Sequence, residues 1–192
     1  MPAASRRPAL RHHAVAREDQ AVQRRTGRRG SGPRMTTATA GNALAESLRS
    51  PFPDAVVESD ESAVWIEPSA IADVCAFLRD DPAHDYRMLG SLTAVDYVEF
   101  FEVVYHLTSL SRNATAILKA RVYGRDDVSL PSVTGVWRGA TLQEREVWDL
   151  MGVGFDGHPN LKRILTWEGF QGHPLRRDYL EPPLPYTWPQ GG

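Results

Sequence analysis

Between Gln143 and Asp178 the chain reads QEREVWDLMGVGFDGHPNLKRILTWEGFQGHPLRRD, and almost every position is chemically particular. His158 and His173 recur inside Gly-His-Pro triplets, with Glu144, Glu146 and Asp149 upstream, so the residue types for a metal site or for acid–base chemistry are present. Their spacing argues against both. Helical zinc sites place two histidines at i and i+4 or use an H-E-x-x-H helix, whereas here each histidine precedes a proline, a rigid turn geometry. The histidines are therefore read as structural, with no metal ligand and no catalytic residue expected. Cys75 is the single cysteine; it can close no intrachain disulfide, and a conventional iron–sulfur cluster needs about four thiolates. It belongs to the stripe Ile71, Val74, Cys75 and Leu78, the apolar face of an expected helix. No serine has the context of a nucleophile elbow, and paired carboxylates alone do not define a glycosidase.

Gly152-Val-Gly154-Phe-Asp-Gly157 matches the G-x-G-x-x-G pattern of dinucleotide sites, with Asp178 downstream at a fitting distance. That pattern works only between a strand and a helix whose N-terminus holds pyrophosphate. Here a helix is expected before it and His158-Pro159 follow it, so no nucleotide site is assigned.

The elements that would position these residues are legible from their periods. A short helix is expected over 43–48, then a hairpin of Ala55-Val-Val-Glu and Val64-Trp-Ile-Glu, then a helix from Pro68 to Arg79. Tyr97 to Thr108 alternates, with Tyr97, Phe101, Val103, Tyr105 and Leu107 on one face and Val98, Phe100 and Val104 on the other. It pairs antiparallel, through Ser111-Arg112-Asn113, with the run carrying Ala116, Leu118, Ala120 and Val122. Apolar residues on both faces predict a central strand covered on both sides. Thr141 and Glu144 predict a capping box, then a helix from Leu142 to Met151 with Val147, Trp148 and Met151 on its apolar side and Gly152 as the left-handed residue that ends it. Asp149 sits in its last turn, where a carboxylate opposes the helix dipole by about 0.3–1 kcal/mol, so a cation must face it. Lys162, Arg163, Arg176 and Arg177 are the candidates, and Glu144, Glu146 and Asp149 are expected to meet them in a partly buried ionic network, within the chain or across a subunit boundary. For Glu144 and Arg145 a solvated helix face remains the alternative, since exposed pairs contribute only about 0–1 kcal/mol. The fold class is α+β: a mixed, mainly antiparallel sheet packed with helices, plus an extended irregular C-terminal segment.

The 192 residues, 42% apolar, suit one globular domain. The net charge of -2 conceals an asymmetry: residues 1–34 hold nine Arg against Glu18 and Asp19, leaving 13 basic and 22 acidic residues for the rest. An acidic body repels phosphate backbones, so nucleic-acid binding would depend on the tail alone, with steep salt dependence. Residues 1–34 are expected to be a disordered Arg-rich tail, either a targeting segment or the product of a mis-assigned start upstream of Met35. No window has the roughly 18 continuous apolar residues of a membrane span, so any membrane contact would run through partners or a surface.

The run E-R-E-x-x-D-L-x-G-x-x-F-x-G-H-P-x-L-x-R-I-L followed by G-x-P-L-R-x-D-Y closely resembles the signature of the 30 kDa-type subunit of NADH:quinone oxidoreductase, respiratory complex I. Its positions here include Glu144, Arg145, Glu146, Asp149, Gly152, Gly157, His158, Pro159, Leu161 and Arg163, then Gly172, Pro174, Arg176, Asp178 and Tyr179. Arg177 stands where many relatives have Lys, which keeps the charge. The resemblance implies a cofactor-free, non-catalytic subunit over residues 42–179, bracing the peripheral arm near the quinone end of the electron path. Its implied partners are the large quinone-site subunit and the adjacent cluster-bearing subunits, which with the rest of the enzyme would hold the flavin and iron–sulfur clusters. Its implied location is peripheral, on the cytoplasmic face of the bacterial inner membrane or the matrix side in an organelle. Residues 180–192 read as a proline-rich arm with Tyr186 and Trp188 as anchors. Related subunits of membrane hydrogenases and other-donor dehydrogenases share the same block. A basic-tailed nucleic-acid binding protein and a metal hydrolase are the rivals from other classes.

Overall fold

A computed structural model describes residues 36–180. The element order is β1 (Thr37–Ala38), α1 (Gly41–Arg49), β2 (Val56–Ser59), β3 (Val64–Ile66), a 3-10 turn (Pro68–Ala70), α2 (Ile71–Asp80), β4 (Met88–Asp96), β5 (Phe100–Ser109), β6 (Ala114–Tyr123), β7 (Ser129–Pro131), α3 (Ala140–Met151) and β8 (Gly154–Asp156). The main sheet runs β2-β3-β6-β5-β4, with β1 paired alongside β6; β7 and β8 form a separate parallel pair. Within the main sheet pairing is antiparallel except where β1 and β3 meet β6, so the mixed, mainly antiparallel α+β class holds.

The long β5–β6 ladder turns at Ser109/Ala114, and Val103, Tyr105 and Leu107 oppose Ala120, Leu118 and Ala116. These six side chains are buried, together with Phe101, Ile71, Val74, Cys75 and Leu78, and form one core between the sheet and the helices. The stripe expected on α2 is thus its core face. The opposite face of β5 is closed in its middle by cross-strand side chains. Buried Glu102 accepts from Trp65 Nε1 at 2.8 Å and pairs with Lys119 at 2.9 Å and Arg121 at 3.2 Å, while both cations lie over the Trp65 ring. Burial alone would raise the Glu102 pKa, but these three donors outweigh it and hold the carboxyl below its usual range.

The sequence expectation differs from the structure at two elements of this sheet. The strand expected to begin at Tyr97 begins at Phe100, and β4 over Met88–Asp96 was not anticipated. Tyr97 and Val98 form the turn between them, and Val98 takes a left-handed φ of 73°, unusual for a β-branched residue. A register shift between Leu89 and Ser91 interrupts the two-residue period of β4, which removes the alternation that marks a strand. The hairpin of β2 and β3 and the antiparallel β5–β6 pair match expectation; β5 is an interior strand, with β6 rather than β5 in the middle of the sheet. The tail over 1–34 and the anchors Tyr186 and Trp188 lie outside the described residues.

Candidate functional site

Helix α3 and the segment that follows it form the site. The helix ends as its sequence predicts: Gly152 has φ 76° and donates its N–H to the Trp148 carbonyl. Its start does not. Ala140 is the first helical residue, Gly139 precedes it, and no side chain caps the helix, so the expected capping box of Thr141 and Glu144 is absent. Glu144 is instead fully buried, one oxygen accepting from Ser132 Oγ at 2.6 Å and the other from Val133 N at 2.7 Å. The cause is helical phase: Ala140, Glu144 and Val147 share the buried stripe, so Glu144 points into the core rather than back along its own backbone. Burial raises its pKa despite those two donors. Glu144 meets no base, and Glu146 is exposed without an ion pair among the described residues, so two of the three acids expected in the ionic network stand outside it.

The third acid is its centre. Asp149, fully buried, pairs with Arg163 Nη1 at 2.7 Å, and its other oxygen accepts three consecutive backbone N–H groups, from Ile164 at 2.9 Å, Leu165 at 2.8 Å and Thr166 at 2.9 Å. Thr166 Oγ1 adds a bond at 2.5 Å. Burial would raise the Asp149 pKa, yet these donors outweigh it and hold the carboxyl well below the usual carboxylate range. Arg163 is the cation that the helix C-terminus required. Its guanidinium also donates to the Gly172 carbonyl at 3.0 Å and lies between the rings of Trp148 and Phe170, 5.7 Å from each. Arg145 donates to the carbonyls of Lys162 and Arg163, both at 2.9 Å, which uses Lys162 through its backbone rather than its charge.

The two histidines hold opposite ends of the same helix. His158 Nε2 lies 3.1 Å from the Thr141 carbonyl, and His173 Nδ1 lies 3.0 Å from that of Asp149. Both nitrogens of His158 and Nδ1 of His173 meet backbone groups, and among the described residues no group of three or more His, Cys, Asp or Glu side chains could hold a metal ion. Gly157 and Gly172 take positive φ in the turns beside them, Pro159 is exposed, Pro174 and Leu161 are half-buried, and Tyr179 stacks on Phe170 at 6.1 Å. Gly152 to Gly157 is a helix cap, strand β8 and a turn, with no helix behind it to receive a pyrophosphate.

A second centre was missed in the sequence. Asp96, buried at the end of β4, binds Arg125 through both nitrogens of its fork at 2.5 and 2.9 Å, and accepts from Val98 N at 2.7 Å and Arg177 N at 2.9 Å. Arg125 reaches on to Asp178 at 2.6 Å. Arg177 thus contributes its backbone N–H, and Asp178 serves an arginine of the β6–β7 connection. The Arg125 fork holds the Asp96 carboxyl well below its usual range. One signal pointed to it: Asp96 continues the core-facing series of Leu92 and Ala94, and an acid in that position needs a partner. Arg176 stands 4.0 Å from both Asp126 and Asp178, and among the described residues it forms no ion pair with the acids of α3.

The two centres fix a segment that exposes several large apolar side chains among polar ones. Ile164, Leu165, Trp167, Leu175 and Leu180 are exposed, Leu165 to 61% and Trp167 to 54%. Residues 64–184, from β3 through both centres, match one protein family, described as respiratory-chain NADH dehydrogenase, 30 Kd subunit. The chain belongs to that family. As a 30 Kd subunit family member it is 45% identical over 140 residues to an NADH-quinone oxidoreductase subunit of Roseiflexus sp. (strain RS-1), covering 69% of this chain and 80% of that protein. It is 40% identical over 134 residues to the mitochondrial NADH dehydrogenase (ubiquinone) iron-sulfur protein 3 of Candida albicans, covering 68% of this chain and 47% of that protein. A chain in the structure of the membrane-bound sulfane sulfur reductase, an archaeal respiratory membrane complex, matches with a TM-score of 0.55 at 25% identity over 72% of this chain and 84% of that one. The 30 Kd subunit family thus supplies subunits of NADH:quinone oxidoreductase-type complexes. Among the described residues no helix is long and apolar enough to cross a membrane.

Proposed function

We propose that the chain is a non-catalytic structural subunit of the peripheral arm of an NADH:quinone oxidoreductase, bracing its neighbours near the quinone end of the electron path. The observation that carries this reading is the segment from Ile164 to Leu180. The backbone N–H groups of Ile164, Leu165 and Thr166 are held by Asp149 and that of Arg177 by Asp96, while several large apolar side chains of the segment are exposed. Ordering a loose loop on binding costs about 0.5–1.5 kcal/mol for each immobilised side chain, and a segment already fixed by two buried carboxylates avoids much of that. A fixed edge with exposed apolar side chains, beside histidines that hold helix carbonyls, suits docking better than catalysis. Flavin and iron–sulfur clusters would be held by partner subunits, among them the large quinone-site subunit. The chain would sit peripherally at the membrane through those partners, on the cytoplasmic face in a bacterium.

A gentle purification from membranes through a tag on this chain tests the reading. Co-elution of flavin, iron–sulfur subunits and NADH-dependent quinone reduction is expected, and a chain that elutes alone would overturn it. The likeness to a chain of a sulfane sulfur reductase complex favours one second reading, the same bracing role in a related respiratory membrane complex that does not couple NADH to quinone. Co-elution of cluster-bearing subunits without NADH-dependent activity would select that alternative.

A further inference from the structure

Helix α3 and the segment that returns over it form an open cleft whose walls include Arg145, Trp148, Leu161, Lys162, Arg163 and Glu168. Its three cations are placed very differently. Arg163 is neutralised by buried Asp149 at 2.7 Å. Arg145 meets no acid: its Nε and Nη2 donate to the carbonyls of Lys162 and Arg163, both at 2.9 Å, while its Nη1 has no acceptor among the described residues and is reached by solvent. Lys162 is exposed, and among the described residues its ammonium has neither an ion pair nor a hydrogen bond. Glu168, the acid of the cleft, forms an ion pair with none of the three. Two accessible positive charges therefore face one cleft without a carboxylate in contact, although the acids of the chain outnumber its bases.

Resting on the docking role proposed above, we propose that this cleft receives an acidic side chain, Asp or Glu, of a neighbouring subunit. Charge complementarity names the occupant. A carboxylate that enters meets the Arg145 Nη1 and the Lys162 ammonium, two cations that no acid of the described chain satisfies, whereas the net-negative body repels it from other approaches. Both donors are open to solvent, so a group carried on another chain can reach them without displacing an internal contact. The surroundings favour a protein segment over a free anion. Trp148 and Leu161 give the cleft apolar walls, and the exposed side chains of Ile164 and Leu165 directly follow Arg163, so a partner's acid and its apolar neighbours would meet one continuous surface.

The test uses the complex purified through the tagged chain. Carbodiimide, which couples an amine directly to a touching carboxylate, is expected to join Lys162 to an Asp or Glu of another subunit, read by mass spectrometry of the joined peptides. Lys162→Glu is expected to speed dissociation of the chain from its neighbours roughly tenfold or more, because a like charge then faces the partner's acid. Lys162→Arg keeps the charge and should dissociate as the wild type does. Replacing the joined acid of the partner by Lys should restore slow dissociation to the Lys162→Glu complex, a rescue that a misfolded variant could not show. Unaltered dissociation of Lys162→Glu overturns the proposal. So does the absence of joining to another subunit, whether Lys162 couples only to Glu168, to a second copy of this chain, or to nothing because anionic lipid headgroups fill the cleft. Because the wild-type chain must first co-purify with neighbours, failure of docking itself is read separately from failure of this site.

Discussion

Asp149 and Arg163 form a pair at 2.7 Å in which the aspartate side chain is wholly buried and the arginine side chain is 20% exposed. The same carboxylate orders three successive amides of the segment that Arg163 begins. One side chain at a helix C-terminus thus compensates its own unfavourable place in the helix dipole and fixes the path of the chain that returns over it.

Asp149→Ala leaves Arg163 and three N–H groups without their acceptor. Breaking a buried, hydrogen-bonded pair costs about 3–5 kcal/mol, so denaturant unfolding of the variant should show a loss of that order. Unchanged unfolding would mean that the pair is ornamental.

Gly152→Ala acts through two effects at one position. The left-handed backbone at φ 76° disfavours any L side chain, and the new Cβ would stand 2.6 Å from His173 Cδ2. A loss of about 1–3 kcal/mol is expected, with His173 displaced. Burial now lowers the His173 pKa, the effect exceeding that of its bond to the Asp149 carbonyl. In the variant an NMR titration should find the imidazole pKa moved back up toward about 6.5.

Arg125→Gln removes the fork that joins Asp96 to Asp178. The amide of Arg177 keeps its acceptor on Asp96, but that carboxylate becomes buried without a cation. Faster hydrogen exchange at Arg177 and earlier proteolysis between Arg176 and Leu180 should follow, while the amides of β6 stay protected.

Stability against pH should carry opposed contributions. Asp96, Asp149 and His173 have folded pKa values below their unfolded ones, so the folded state binds fewer protons and their stabilisation is lost as pH falls, below about 6.5 for the histidine and below about 4 for the carboxyls. Glu144 has the reverse sign: its raised pKa gives a contribution complete below about pH 4.3 and lost as pH rises through the folded value. Glu144→Gln should therefore remove the decline in melting temperature that begins above about pH 4.3 and leave the loss at lower pH in place. A parallel downward shift at every pH would contradict this assignment.

The outward residues separate folding from docking. Trp167→Ala and Leu165→Ala touch exposed side chains and should change unfolding by less than about 0.5 kcal/mol for Leu165, while both reduce recovery of partner subunits in the tagged purification. Equal recovery with both variants would remove the apolar edge from the interface.

Local rules were enough to read from the sequence the α2 stripe, the interior β5, the end of α3 at Gly152, and the need of Asp149 for a cation, because each depends on residues within a turn or on a strand's own alternation. The density of particular residue types between Gln143 and Asp178 likewise marked the site and its family. Tertiary structure alone decided the rest. Glu144 fitted a capping box in sequence, but the phase of α3 against the core sent it to Ser132 and Val133. Strand β4 was hidden by the register shift that breaks its alternation, and with it went Asp96, whose partner Arg125 is chosen by how the sheet end meets the β6–β7 connection. Among Lys162, Arg163, Arg176 and Arg177, charge could not say which meets Asp149; only the path of the returning chain puts Arg163 there. Sequence carries the demand for a partner, because charge and periodicity are local properties, whereas the choice of partner is a distance, and distances between remote residues exist only once the chain has packed.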